Sequence, residues 1–143
     1  MENCYKKDCN LPKNTNHFLE NQFVQQILVV LNTLHQQNII HRDIKPSNII
    51  KRECDNQFVL IDFGAVKQLD TNSQFPEQPT QTKIITSEYL PLEQWAGKLS
   101  FNSDIYALGI TAAQFLTGSH RSEFKRDDKD RLVLTEAIAL AIC

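Results

Sequence analysis

From residue 19 onward, hydrophobic residues recur every three or four positions, which is the period of an amphipathic helix. The apolar face comprises Leu19, Phe23, Ile27, Val30 or Leu31, and Leu34. Glutamines and an asparagine occupy the opposite face. Asn38 follows the last apolar position and is typical of a left-handed residue at a helix end. The pattern therefore predicts one long helix that ends near Asn38.

Two short β-type runs follow this helix. They are Ile49-Ile50 and residues 58–61, and the polar residues 54–57 separate them. Short apolar runs divided by turn-forming residues are typical of an antiparallel hairpin. The polar segment 41–48 lies between the helix and the first run, so we expect it to form a loop.

A second helix is predicted where Asn102-Ser103-Asp104 opens an apolar period that Gly118 ends. Its expected buried stripe consists of Ile105, Leu108, Ala112, Phe115 and Leu116. Phe63 and Tyr106 are also expected in the core. Residues 70–88 have no period and predict a long loop, while residues 132–142 predict a short apolar helix. The fold class predicted is α+β, mainly α, with one short β-hairpin.

Composition and charge indicate which partners and which cellular location to expect. The chain has 143 residues with 15 Lys plus Arg and 17 Asp plus Glu, a net charge of −2, so we expect no nucleic-acid partner. No apolar run approaches the ~18 residues that span a bilayer, and we expect no membrane partner. The first ten residues are polar, and the four cysteines form no C-x-x-C pair. These features predict a cytoplasmic protein.

The loop 41–48 and the end of the hairpin carry candidate chemistry. Asp43 can accept a hydroxyl proton, and Lys45 places a positive charge beside it. Asn48 and Asp62 offer hard oxygen atoms, which suit Mg²⁺. Because a hairpin returns the chain close to its start, Asp43, Asn48 and Asp62 can converge. A base, a cation and two Mg²⁺ ligands form a plausible site for phosphoryl transfer.

These residues belong to an ordered set of motifs. The set is His41-Arg42-Asp43 with Asn48, Asp62-Phe63-Gly64, Thr86-x-x-Tyr89-x-Pro91-Leu92-Glu93-Gln94, and Asp104-x-Tyr106-x-Leu108-Gly109. It resembles the catalytic loop, magnesium motif, activation-segment end and anchoring helix of protein kinases. A lysine at position 45 resembles the serine/threonine kinases among the protein kinases. The sequences of the motifs most resemble those of eukaryotic-like serine/threonine kinases of bacteria. The resemblance covers residues 17–118.

The resemblance implies a role for each matching residue. Asp43 would accept the proton of the substrate hydroxyl, and Lys45 would neutralise charge on the transferred phosphoryl group. Asn48 and Asp62 would hold Mg²⁺. Thr86 would bridge Asp43 and Lys45 and help to seat the acceptor peptide. The implied activity is transfer of the γ-phosphate of ATP to Ser or Thr hydroxyls of a protein substrate.

The resemblance also implies nucleotide contacts and a regulatory arginine. Ile50 would lie under the adenine, and the backbone carbonyl of Ser47 would face the ribose. Arg42 would pair with a phosphorylated residue of the activation loop. The candidate phosphorylation sites are Thr71, Ser73, Thr80 and Thr82.

The motifs divide the chain into three parts. Residues 1–16 are expected to be a polar leader, residues 17–118 the C-terminal lobe of a kinase, and residues 119–143 a charged linker with a short apolar helix. No glycine precedes Gly64, so these residues contain no glycine-rich phosphate loop. We therefore expect the N-terminal lobe to be missing.

A missing N-terminal lobe predicts very weak ATP binding and negligible phosphoryl transfer by this chain alone. Two alternatives follow. The chain could be a non-catalytic remnant that serves as an interaction module, or a half-enzyme completed by another chain that supplies the small lobe.

Overall fold

The computed structural model describes residues 17–69, 89, 100–128 and 132–134. Along the chain the elements are helix α1 (His17–Gln36), strand β1 (Ile39–Ile40), a 3-10 turn (Pro46–Asn48), strands β2 (Ile49–Lys51), β3 (Phe58–Leu60) and β4 (Lys67–Gln68), helix α2 (Phe101–Thr117), and a second 3-10 turn (Arg121–Glu123). Helices of 20 and 17 residues outweigh the short strands, as expected for a mainly α fold of the α+β class.

Helix α1 buries the face that its sequence period predicts. Phe23, Ile27 and Leu31 have exposed fractions of 1%, 0% and 0%, whereas Val29 on the opposite side is 67% exposed. The backbone reverses at Asn38, which has φ 57°, the left-handed conformation that asparagine tolerates better than most residues. The predicted helix and its end are therefore confirmed.

The predicted hairpin is formed by β2 and β3. The strands are antiparallel, with Ile49 opposite Leu60, Ile50 opposite Val59, and Lys51 opposite Phe58. In the turn, the Arg52 guanidinium donates to the Asp55 carboxylate at 2.6 and 3.2 Å.

Helix α1 packs between the hairpin and α2 through one aromatic cluster. The ring of Phe23 meets the ring of Phe58 edge-on at 5.2 Å and the ring of Phe115 edge-on at 4.4 Å. Edge-to-face contacts of this kind are favoured by the ring quadrupoles. The core therefore joins both helices to β3.

A second, smaller sheet was not predicted from the sequence. Strands β1 and β4 pair antiparallel, with Ile39 opposite Gln68 and Ile40 opposite Lys67. The N–H of Leu69 donates to the carbonyl of Asn38 at 2.7 Å and extends the pairing. This sheet fixes the segment after Asp62 beside the loop that begins at His41.

Helix α2 has a defined start and a defined end. The hydroxyl of Ser100 accepts from the N–H of Asn102 at 3.3 Å, so the cap precedes the predicted opening by two residues. Gly118 adopts φ 64° and donates its N–H to the carbonyl of Gln114 at 2.9 Å, which confirms the predicted stop.

The expected buried stripe of α2 is wrong in part. Leu108 is buried as predicted, but Ile105 is 44% exposed because the buried face follows Asp104, Ala107 and Thr111 toward the interior. A residue next to Asp104 is rotated about 100° from that face. Phe63 and Tyr106, also expected in the core, are 49% and 37% exposed.

Parts of the predicted organisation lie outside the described residues. These are the polar leader 1–16, the whole of the loop 70–88 and most of the apolar segment 132–142. Residues 132–134 are described and are not helical, since Leu132 forms an antiparallel bridge with Arg126. Neither α1 nor α2, the two helices in the described part of the chain, has the length and apolar composition needed to cross a bilayer.

Candidate active site

The loop after β1 is held by a buried carboxylate on α2. Asp104 is 1% exposed, and it accepts from the backbone N–H of His41 at 2.9 Å and from that of Arg42 at 2.8 Å. Arg42 has φ 71°, an unfavourable conformation for a non-glycine residue. Bonds from two successive N–H groups to one charged acceptor stabilise this backbone. Asp104 therefore anchors the loop, as the motif resemblance implied.

The side chains of Asp43, Lys45 and Asn48 meet in this loop. The Lys45 ammonium lies 2.9 Å from Oδ2 of Asp43. The amide nitrogen of Asn48 donates to the same Oδ2 and to the backbone carbonyl of Asp43, each at 2.8 Å. Asn48 is buried, so its amide fixes the loop from inside. The Asp43 carboxylate thus has one defined orientation.

Asp62 lies at the open end of the hairpin, beside this group. The N–H of Ile61 donates to the carbonyl of Asn48 at 2.8 Å, so the residues before β2 and after β3 are held together. Asp62 has φ 61° and is exposed, and its Oδ1 accepts from the N–H of Gly64 at 3.1 Å. The hairpin therefore places Asp62 next to Asn48.

The carboxylates of Asp43 and Asp62 both influence the pKa of His41. His41 is buried, and burial lowers the pKa of its imidazole because the charged form loses hydration. The carboxylates of Asp104, Asp43 and Asp62 oppose this by raising the pKa, as does the backbone of Ile61. Asp43 and Asp62 therefore both lie near enough to His41 to act on its imidazole.

The remaining predicted site residues are placed less completely. Ile50 is buried in β2 with an exposed fraction of 8%, and Ser47 is exposed in the 3-10 turn. Thr86 lies outside the described residues. Tyr89, three positions after it, is buried, and its hydroxyl donates to Oε1 of Gln114 on α2 at 2.5 Å.

Asn48 and Asp62 fit a divalent cation that takes few ligands from the protein and most from bound phosphates and water. The amide nitrogen of Asn48 donates to Asp43, so the amide oxygen of Asn48 can coordinate a cation. Asp62 is exposed and its Oδ1 accepts from Gly64, so its Oδ2 can be the second cation ligand. Within the described part of the chain, no three His, Cys, Asp or Glu side chains cluster as a metal cage. Mg²⁺ commonly binds one or two protein oxygens and completes its shell with phosphates and water.

One residue of this region was not identified from the sequence. His35, in the last turn of α1, has its Nε2 atom 2.9 Å from Oδ2 of Asp104. A carboxylate only accepts, so the imidazole donates. The available signal was a histidine near the end of an amphipathic helix, six positions before His41. That spacing gave no reason to connect it with α2.

Comparison with known proteins identifies the family. The protein kinase domain family model matches residues 3–141. The chain is 43% identical over 107 residues to serine/threonine-protein kinase B of Synechocystis sp., covering 71% of this chain and 19% of that protein. It is 42% identical over 118 residues to serine/threonine-protein kinase PknA of Nostoc sp., covering 81% of this chain and 21% of that protein.

The chain spans about a fifth of the length of these curated relatives. The resemblance found in the sequence motifs is confirmed, and two helices with small antiparallel sheets fit a partial kinase fold. The chain belongs to the protein kinase domain family, among relatives that are serine/threonine kinases.

Proposed function

We propose that this chain carries the phosphoryl-transfer centre of a serine/threonine protein kinase, with Mg·ATP as the phosphate donor and a Ser or Thr hydroxyl of a protein as the acceptor. The observation that carries the proposal is the Asp43 carboxylate held by Lys45 and Asn48 beside Asp62. In the proposed arrangement, the described elements belong to the C-terminal lobe, with the hairpin at the nucleotide.

In this proposal Asp43 is the base. Lys45 and Asn48 both contact Oδ2, so among the described contacts Oδ1 remains to receive the proton of an incoming hydroxyl. Lys45 lies close enough to Asp43 to reach the phosphoryl group being transferred to that hydroxyl. Positioning and charge neutralisation of this kind supply most of the catalysis in phosphoryl transfer.

Asn48 and Asp62 would hold Mg²⁺ through one oxygen each. When bound, the ion would neutralise charge on the phosphates. Ile50 would contact the adenine, the carbonyl of Ser47 would face the ribose, and Thr86 would bridge the base and the lysine. These roles are supported by the motif order and by the position of β2 directly after Asn48.

The 143 residues contain no glycine before Gly64, so they supply no glycine-rich loop above the phosphates. Each preorganised electrostatic group that is lacking raises the barrier by about 2.7–4 kcal/mol. We therefore propose weak ATP binding and negligible transfer for these residues alone. A separate chain that supplies a small lobe would restore transfer.

The test measures Mg²⁺-dependent nucleotide binding and phosphate transfer to a Ser/Thr protein substrate. We expect weak binding that requires Mg²⁺, that is lost in Asp62→Asn, and that is retained in Asp55→Asn, whose carboxylate lies in the distant hairpin turn. Transfer should stay at background for the chain alone and should rise when a kinase small lobe is added in trans.

The added transfer should disappear in Asp43→Asn. Binding that is unchanged in Asp62→Asn would contradict the metal assignment, and transfer that persists in Asp43→Asn would contradict the base. Background transfer with every added small lobe would favour the alternative, a non-catalytic interaction module.

A further inference from the structure

Arg121 is an enclosed cation in the segment that follows α2. It begins the second 3-10 turn, and its exposed fraction is 8%. Its Nε atom is shielded from solvent and has no hydrogen-bond partner among the described residues. A guanidinium stays protonated in proteins, so Arg121 does not reduce the cost of burial by losing its proton. Because a buried charge without a partner is unfavourable, this side chain is suited to an anion that the described residues do not provide.

The acidic residues of the same segment do not neutralise Arg121. Glu123, Asp127 and Asp128 are the described acids nearest to it along the chain. None of these three carboxylates forms an ion pair or a hydrogen bond with the Arg121 guanidinium. The guanidinium therefore keeps its capacity to bind a carboxylate from another molecule.

The backbone around Arg121 is held in one conformation. The N–H of Phe124 donates to the carbonyl of Arg121 at 3.1 Å, and the N–H of Glu123 donates to the carbonyl of His120 at 2.9 Å. The imidazole of His120 accepts from the N–H of Ser122 at 3.4 Å. Phe124 is buried with an exposed fraction of 6% and fastens the end of the turn to the interior. A ligand at Arg121 therefore does not have to order the backbone, which lowers the cost of binding.

The charges of the segment favour a carboxylate over a phosphate. Residues 121–128 contain three basic and three acidic residues, so the segment has no surplus positive charge. A phosphate monoester carries a charge of about −1.5 to −2 at pH 7 and would be repelled by the three acids. A carboxylate carries one negative charge, and its two oxygen atoms match the fork of a guanidinium.

We propose that Arg121 binds the carboxylate of an acidic side chain of a protein partner. The guanidinium donates from Nε and from one Nη atom to the two carboxylate oxygens. Asp104, which anchors the catalytic loop, lies at the start of α2, and Thr117 ends the helix thirteen residues later. At 1.5 Å per residue this separation is about 20 Å. The site is therefore distinct from the proposed phosphoryl-transfer centre, and its occupant does not have to be the phosphoryl acceptor.

The experiment follows the Nε–H signal of Arg121 by NMR spectroscopy of the full chain while hexaglutamate with blocked ends is added. Because Nε is shielded from solvent, its proton exchanges slowly with water and its signal is observable. Hexaglutamine is the matched ligand control, and inorganic phosphate tests the other anion. The variants are Arg121→Gln and Arg126→Gln. The second removes the same charge from an exposed position of the same segment.

We expect hexaglutamate to shift the Arg121 signal and hexaglutamine to leave it in place. The affinity for hexaglutamate should fall about tenfold or more in Arg121→Gln, as expected when a hydrogen bond between charged groups is lost. In Arg126→Gln it should fall only a few-fold at most, since an exposed charge is screened by water and salt.

An Arg121 signal that stays in place at millimolar hexaglutamate would overturn the proposal. This reading uses the unsubstituted chain, so it holds even if Arg121→Gln fails to fold. Equal losses of affinity in the two variants would also overturn the proposal, since diffuse charge would then attract the peptide. Tighter binding of inorganic phosphate than of hexaglutamate at this signal would overturn the choice of a carboxylate. No step of the experiment uses Mg·ATP, so its outcome is independent of the proposed function.

Discussion

His41 is a titratable side chain enclosed next to three carboxylates. Its ring also meets the ring of Phe63 edge-on at 5.0 Å. Loss of hydration outweighs the attraction of Asp104, Asp43 and Asp62, so the pKa is lowered and the ring is neutral near pH 7. In the neutral ring Nδ1 of His41 accepts from the N–H of Asp43 at 3.4 Å, while the backbone N–H of His41 donates to Asp104.

The lowered pKa of His41 predicts a pH dependence of stability. The unfolded chain binds the proton with a pKa near 6.5, and the folded chain binds it less readily. The unfolded state is therefore favoured as pH falls below 6.5 toward the folded value, and His41 contributes no slope well above 6.5. Urea unfolding across this range should show a smaller decrease for His41→Phe than for the unsubstituted chain.

His120→Gln is the control for that measurement, because its imidazole is exposed. Its profile should follow the unsubstituted chain. Parallel profiles for the unsubstituted chain and His41→Phe would show that burial does not shift this histidine.

At the scale of an element, α2 contains two glycines in different conformations. Gly118 ends the helix with φ 64°. Gly109 lies inside the helix, and a Cβ atom built there would meet no heavy atom of the described residues within 4 Å. The same substitution at the two positions therefore has opposite physical consequences.

Gly118→Ala should destabilise the protein by about 1–2 kcal/mol, because a Cβ atom disfavours the left-handed conformation. Gly109→Ala should stabilise it by about 0.5–1 kcal/mol, since alanine loses less backbone entropy in a helix. The free energy of unfolding in denaturant measures both. Changes of the same sign in the two variants would contradict the assigned helix end.

At the scale of the whole molecule, one side chain connects α1 to the hairpin in addition to the aromatic core. Oε1 of Gln26 accepts from the N–H of Phe58 at 2.7 Å. In the antiparallel ladder this N–H points away from β2, because Arg52 and Gln57 form the adjacent hydrogen-bonded position. Gln26 therefore satisfies a partly buried donor on the outer edge of β3.

Gln26→Ala should destabilise the protein by about 1–3 kcal/mol, because the N–H of Phe58 loses its partner. Gln25→Ala is the matched control, since Gln25 is the exposed neighbour and its replacement changes helix propensity equally. Thermal unfolding of the two variants provides the comparison. Equal midpoints would mean that water replaces the Gln26 amide without loss.

The sequence predicted the elements whose own residues determine them. The helix around Phe23 and Ile27 follows from its apolar period, and the β2–β3 hairpin follows from two apolar runs with a polar turn. The β1–β4 sheet could not be predicted, because each strand has only two residues. Each strand depends on a partner that lies 27 to 29 positions away in the sequence. The exposure of Ile105 was mispredicted because Asp104, a charged residue, defines the buried face.

The candidate site shows the same division. The group of Asp43, Lys45 and Asn48 was predicted from motif spacing and hairpin geometry, because all three residues lie within one short loop. His35 could not be identified, because its importance depends on the packing of α1 against α2, which sequence spacing does not reveal.

The anchor on Asp104 has a consequence for biosynthesis. Its bond to the N–H of His41 joins residues 63 positions apart. At about 5–20 residues per second, a ribosome makes Asp104 roughly 3–13 s after His41. During that interval Asp104 is not yet available to hold the nascent loop, so the site can acquire its geometry only after the start of α2 has been synthesised.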